Sequence, residues 1–104
     1  MSFQKFLHER GIVERPGAGS RPLVIAHRGY SAVVPENSLA AVDAARALGV
    51  DFIEVDTSTS ADGVPVILHD PDLDRTTNRK GTVVNLTAEE LSFVDAGSWM
   101  GPGF

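Results

Sequence analysis

The chain has 104 residues, 9 Lys+Arg against 14 Asp+Glu, a formal charge of −5 and 42% apolar residues. That length bounds it to a single domain, and the apolar content excludes a disordered tail. No apolar stretch reaches the roughly 18 residues of a membrane-spanning helix, and the acidic balance, with no Lys/Arg cluster, argues against a nucleic-acid partner.

Residues 1–15 carry charges throughout and have no apolar core, so they do not read as a secretory signal. Phe3, Phe6 and Leu7 share one helical face, which predicts a helix there. Residues 16–22 (PGAGSRP) read as a linker, so residues 1–22 form an N-terminal extension to a domain over residues 23–104. Leu23–Ala26 is a short apolar run ending at His27 and predicts a buried strand. A loop follows from Arg28 to Pro35, with Asn37 as the expected N-cap of a helix over Ser38–Leu48. That helix is rich in Ala, and Gly49 ends it. Phe52–Asp56 predicts a second strand and Val64–Leu68 a third, separated by the turn signal Asp62-Gly63. Residues 70–81 read as a polar loop. Thr87 and Glu90 make a capping box for a short helix over Ala88–Val94. The strand–helix–strand start predicts an α/β fold with a parallel sheet, whose functional residues lie beyond the carboxyl ends of the strands.

The charged residues collect at those ends. Seven of the 14 acids fall between Asp51 and Asp74, a stretch without Lys or Arg. The first strand ends in His27-Arg28, the second in Glu54-Val55-Asp56 and the third in His69-Asp70. Glu54 and Asp56 are two apart, so on a strand both carboxylates face one side. Two such acids repel unless one is protonated or a divalent cation lies between them, and oxygen ligands suit Mg²⁺ or Ca²⁺. The plainer reading is a pair of solvent-facing acids on an edge strand. His27 and His69 each read singly as structural residues. Together, beside a carboxylate pair, they read as a general acid and a general base. If the second and third strands form a hairpin about Asp62-Gly63, cross-strand partners sum to about 125 and Asp56 pairs with His69; if the third strand instead runs parallel after a short return, His69 still lies at the same end as Asp56. Arg28 offers a fork for a phosphate, or else a salt bridge to a nearby acid. Glu36 reads as an anchor of the loop, Asp62 as a turn residue, and Asp72, Asp74 and Arg75 as loop-ordering residues.

Taken in order, AHRGYSAVVPENS (26–38), FIEVDTSTSADGVPVILHD (52–70), LDRTTNRKGTV (73–83) and LTAEEL (86–91) resemble the glycerophosphodiester phosphodiesterase family. Thr57 and Thr59 stand where that family usually has apolar residues, and Ser38 where it often has Thr. The resemblance implies a TIM (β/α)₈ barrel, of which this chain carries the N-terminal portion, about three strands of eight. It also implies metal-dependent hydrolysis of glycerophosphodiesters to glycerol 3-phosphate and an alcohol. By position, His27 and His69 are the acid–base pair, Arg28 contacts the phosphate, and Glu54 and Asp56 are metal ligands. A third acidic ligand is expected beyond residue 104. Two other functions remain open at this point: a lysophospholipase D-like phosphodiesterase, and a truncated, non-catalytic interaction module. An open piece of barrel is also expected to expose strand edges and apolar surface.

Overall fold

The computed structural model describes Lys5 and residues 22–104. Apart from Lys5 and Pro22, the helix and linker expected over residues 1–22 lie outside the described residues. Strand β1 (Ile25–His27) leads through helix α1 (Leu39–Ala47) to strand β2 (Phe52–Glu54). β1 and β2 pair in parallel, with Ile25 opposite Phe52 and His27 opposite Glu54. The entry to this pair is fixed by Asp51, whose Oδ2 accepts from Val24 N at 2.8 Å.

Helix α1 is built for close approach. Ala41 and Ala45, one turn apart, are both fully buried. Their small side chains let the helix press on the loop after β1: a Cβ on Gly29 would lie 2.6 Å from Ala41 Cβ. Gly29 also takes φ +79°, a conformation that glycine adopts without strain. The helix cap is Ser38, whose hydroxyl accepts from Ala41 N at 3.1 Å and donates to Pro35 O at 2.6 Å. This corrects the sequence reading, which places Asn37 at the cap. Both residue types cap helices, but Asn37 sits at φ 58°, and its side chain is engaged elsewhere. At the other end Gly49 takes φ 73° and closes the helix as expected.

The run Phe52–Asp56 is not one strand. β2 stops at Glu54, and a separate strand β3 (Thr57–Thr59) pairs antiparallel with β4 (Pro65–Ile67). The described residues therefore carry two parallel strands and a hairpin, rather than three strands of a parallel sheet. In the hairpin Thr57 faces Ile67 and Thr59 faces Pro65, so partners sum to 124 and not 125. The cause is the turn. Ser60 N donates to Val64 O at 2.9 Å and Gly63 N to Ser60 O at 3.0 Å, with Gly63 at φ +80°. That is a three-residue connection ending in a left-handed glycine, not a two-residue turn. Leu68 N then bonds Asp56 O at 3.1 Å, and the expected cross-strand pairing of Asp56 with His69 does not form.

Beyond β4 the chain is held by side chains more than by regular elements. A bridge joins Asp72 to Thr82, and a 3₁₀ turn spans Val83–Asn85, with Val83 fully buried. Leu73 is buried beside it, and the buried Thr77 donates to Leu73 O at 2.6 Å. Helix α2 (Ala88–Ser92) starts at Thr87, whose hydroxyl accepts from Glu90 N at 3.2 Å. Asp62 Oδ1 accepts from both Ser60 Oγ and Ala88 N, at 2.6 and 2.9 Å, and so ties the hairpin turn to α2. A 3₁₀ turn over Ser98–Met100 follows, and Asp95 Oδ1 accepts from the amides of Gly97 and Ser98 at its start. Apolar surface lies open along β1 and the end of α1, with Ile25 60% and Leu48 61% exposed. No helix among the described residues is long and apolar enough to cross a membrane.

Candidate active site

The parallel register sets His27 beside Glu54 at the carboxyl ends of β1 and β2, with His27 Nε2 3.7 Å from Glu54 Oε2. The chain then leaves β1 through Arg28, a non-glycine residue at φ 60°. That turn aims the Arg28 amide at Glu54, whose Oε2 accepts it at 3.1 Å. It also folds the side chain back over the site. Arg28 Nη1 donates to Glu36 Oε1 at 3.2 Å, and Nε lies 3.2 Å from Asp56 Oδ2. That last contact is an ion pair without the alignment of a hydrogen bond, and it leaves Nε buried with no hydrogen-bond partner. Two left-handed residues in one loop, Arg28 and Asn37, mark backbone strain concentrated at a site.

Asn37 explains why the loop holds that shape. Its Nδ2 donates to Asp56 Oδ2 at 3.0 Å, and its Oδ1 accepts from Asp56 N at 3.1 Å. Asn37 N also donates to Arg28 O at 3.0 Å. One side chain thus fastens the loop to the end of β2. The Asn37 amide, then the charges of Arg28 and His69, hold the Asp56 carboxyl below its ordinary range against the opposing effect of burial.

His69 arrives from the opposite side, after β4. The one-residue change of register does not remove it from the site: its chain neighbour Leu68 donates its amide to Asp56 O at 3.1 Å. Its Nδ1 lies 2.8 Å from Asp70 Oδ1. Arg75 binds both oxygens of Asp70, Nε to Oδ2 and Nη2 to Oδ1, each at 2.9 Å. The same guanidinium binds both oxygens of Glu36, at 3.1 and 2.7 Å. Glu36 is only 13% exposed and accepts from Arg28 as well. Arg75 first, then the charge of Arg28, keeps the Glu36 carboxyl below its usual range. Asp70 is held far below by Arg75 and then by His69. An unbroken chain of charge-assisted contacts therefore runs from His69 through Asp70, Arg75 and Glu36 to Arg28 and Asp56.

All five residues singled out in the sequence, His27, Arg28, Glu54, Asp56 and His69, belong to this cluster. Of the two readings of Arg28, the structure shows the salt bridge to local acids, Glu36 and Asp56. Glu36 and Arg75 are more than loop anchors, because they join the two sides. Asn37 was legible as a functional residue only through its neighbour: with Ser38 available as a cap, a second cap-forming residue was left over.

Glu54 Oε2 and Asp56 Oδ2 both lie against Arg28, one on its amide and one on its Nε, and carboxylate oxygens are the donors a hard divalent cation takes. The pair fits such an ion as a partial ligand set. Among the described residues no group of three His, Cys, Asp or Glu is arranged to hold a metal. A hollow of about 260 Å³ borders His27, walled by Val24, Tyr30, Leu48 and Val50. A second, of about 280 Å³, lies under the hairpin between Leu68, Leu73, Val83 and Leu91, and contains no ionisable group.

Comparison with known proteins places this arrangement. The chain is 49% identical over 84 residues to a glycerophosphodiester phosphodiesterase of Caldanaerobacter subterraneus subsp. tengcongensis, covering 81% of this chain and 35% of the relative. It superimposes on the crystal structure of a glycerophosphodiester phosphodiesterase from Agrobacterium tumefaciens with a TM-score of 0.74 at 44% identity, covering 76% of this chain and 34% of that one. An Oleispira antarctica phosphodiesterase, solved in complex with the product sn-glycerol-3-phosphate, matches with a TM-score of 0.75 at 48% identity, over 77% of this chain and 32% of that one. The chain spans about a third of the length of the curated relatives it matches. Residues 27–102, from the first histidine of the cluster to the tail, match the profile of one family, and the chain belongs to it: the glycerophosphoryl diester phosphodiesterase family.

Proposed function

We propose that residues 23–104 form the first part of a (β/α)₈ barrel that hydrolyses glycerophosphodiesters to glycerol 3-phosphate and an alcohol. A barrel of this kind takes roughly 250 residues, and the coverage of about a third of each relative agrees with that. β1, α1 and β2 supply its first β–α–β unit, and the hairpin is an insertion after β2. The observation that carries the reading is the register of β1 on β2. It sets His27 beside Glu54 at the strand ends, with Arg28 folded onto Asp56. Functional groups in such sheets collect at that edge.

In this reading one imidazole takes the proton from the attacking oxygen, either of water, which gives glycerol 3-phosphate directly, or of a substrate hydroxyl, which gives a cyclic phosphodiester that water opens in a second, like step. A bond forms from that oxygen to phosphorus, and the bond from phosphorus to the alcohol oxygen breaks. The other imidazole gives a proton to the departing alkoxide. Arg28 contributes its fork and its charge to the phosphate oxygens. Glu54 and Asp56, with a third acid beyond residue 104, would hold Mg²⁺ or Ca²⁺, whose charge offsets that of the phosphate.

The test is release of glycerol 3-phosphate by the polypeptide purified from its natural source. Its intact mass separates the 11.1 kDa chain from a barrel-sized product. Water-soluble glycerophosphodiesters are expected to be cleaved in preference to lysophospholipids, and a chelator to stop the reaction. Replacing His27 or His69 with Ala is expected to lower turnover by about two to four orders of magnitude. Near-normal turnover in both single variants overturns the reading.

A further inference from the structure

Arg75 touches none of the groups that the proposed reaction needs, yet it is the most heavily committed side chain in the cluster. Four of its N–H groups reach acceptors: two go to the oxygens of Asp70 and two to those of Glu36. A planar fork with fixed donor directions does this, whereas a lysine ammonium is a single point of charge. The consequence falls on His69. Asp70 Oδ1 receives Arg75 Nη2 and lies 2.8 Å from His69 Nδ1. An ionised carboxylate only accepts hydrogen bonds, so the proton of the neutral imidazole belongs on Nδ1. Nε2 is then left as the ring's bare acceptor. Without Arg75, Asp70 has no partner fixing its plane, and nothing selects between the two tautomers.

We propose that Arg75 is a positioning residue: by clamping Asp70 against the loop acid Glu36, it fixes His69 in the Nδ1–H tautomer with Nε2 free to accept a proton. This rests on the function proposed above for its purpose, but not for its measurement. Arg75 is also the first cause that holds both carboxyls below their ordinary range, in keeping with its contacts to both.

The readout is the pattern of ¹⁵N–¹H correlations of the imidazole in the 104-residue chain labelled with ¹⁵N-histidine. It is recorded above the ordinary imidazole titration range, where the ring is neutral. In the unsubstituted chain His69 is expected predominantly as Nδ1–H. In Arg75→Ala the predominant form is expected to become Nε2–H, and His27, outside the clamp, is expected to keep its own pattern. Asp70→Asn should abolish the Nδ1–H preference as Arg75→Ala does. Arg75→Lys keeps the charge and loses the fork, and is expected to leave a mixture. If Arg75→Ala loses the amide dispersion of the folded chain, Arg75→Lys decides: an unchanged Nδ1–H pattern there overturns the proposal. Nε2–H as the main form in the unsubstituted chain also overturns it, as does Nδ1–H persisting in a folded Arg75→Ala. No substrate is present. A failed phosphodiesterase assay would therefore remove the proposed reaction and leave this result standing, while an unchanged tautomer would do the reverse.

Discussion

Residues 25–54 and residues 57–100 meet at one ionic cluster but are built by different means. The first stretch is a parallel β–α–β unit, closed by main-chain hydrogen bonds and a helix of small residues pressed against a glycine loop. The second is an antiparallel hairpin and a long irregular return, closed by side chains such as Thr77 and Asp62. The first therefore depends on how close two backbones can come. The second depends on individual hydrogen bonds, each modest and separately removable. Among the described residues only Arg75, through Glu36 and Asp70, links His69 of the second stretch to the charged residues of the first.

If close approach governs the first stretch, its most damaging small change is Gly29→Ala. The new Cβ would meet Ala41 Cβ at 2.6 Å and its carbonyl carbon at 2.7 Å, at φ +79°. Overpacking and a non-glycine residue in that conformation together cost at least about 2 kcal/mol. Against the roughly 5–15 kcal/mol that holds a domain, a large fall in denaturation midpoint is expected. A midpoint within error of the unsubstituted chain would show that the helix can move away, and the contrast between the two stretches would be lost.

The caps give a finer comparison, because each stretch has one helix closed by a hydroxyl. Ser38→Ala removes the bond to Ala41 N, and Thr87→Ala the bond to Glu90 N. Each is expected to cost about 1 kcal/mol. For a domain of this size that is a lowering of thermal midpoint of about 4–8 °C. Ser38 also holds Pro35 O and sits next to Asn37, so its loss should disturb the charged cluster as well. Thr87→Ala should leave the His27 and His69 imidazole signals where they are. Equal disturbance of those signals by both variants would mean that the stretches are not separable.

These elements also show what a sequence can reveal. A short apolar run identified β1, the alanine run α1, and the alternation of Phe52, Glu54 and Asp56 with Ile53 and Val55 identified β2, although β1, expected to be buried, has Ile25 60% exposed. The end of β2 was not legible: Glu54-Val55-Asp56 keeps strand alternation while the backbone turns into a separate hairpin. The hairpin register was missed by one residue because Asp62-Gly63 is compatible with both a two-residue and a three-residue turn. The hydrogen bond from Ser60 N to Val64 O selects the second. At the site, the five residues stood out because ionisable groups at the ends of apolar strands are unusual. Their connection did not, since Glu36 and Arg75 are 39 positions apart and no local period links them.

The smallest expected effect bears on that connection. Glu36 and Asp70 are held below their ordinary range chiefly by Arg75. A carboxyl depressed in the folded state adds stability that is complete above its unfolded value, and that stability is lost as the pH falls through the lower, folded value. With Arg75 in place, these two acids should therefore lend stability down through the ordinary carboxylate range near pH 4, and release it only in stronger acid. Arg75→Gln keeps a polar side chain of similar length and removes the charge. It should bring both acids back toward their ordinary values, so that the variant is less stable at neutral pH, by a small amount because Arg75 is nearly half exposed, begins to unfold at a higher pH, and converges on the unsubstituted chain in strong acid. Asp62 and Asp95, depressed by bonds within the second stretch, do not involve Arg75 and should titrate alike in both chains. Circular dichroism followed from pH 6 downward measures the difference. Superimposable acid profiles would mean that the contacts of Arg75 with the two acids carry no charge-dependent stability, and the two stretches would then be joined by packing alone.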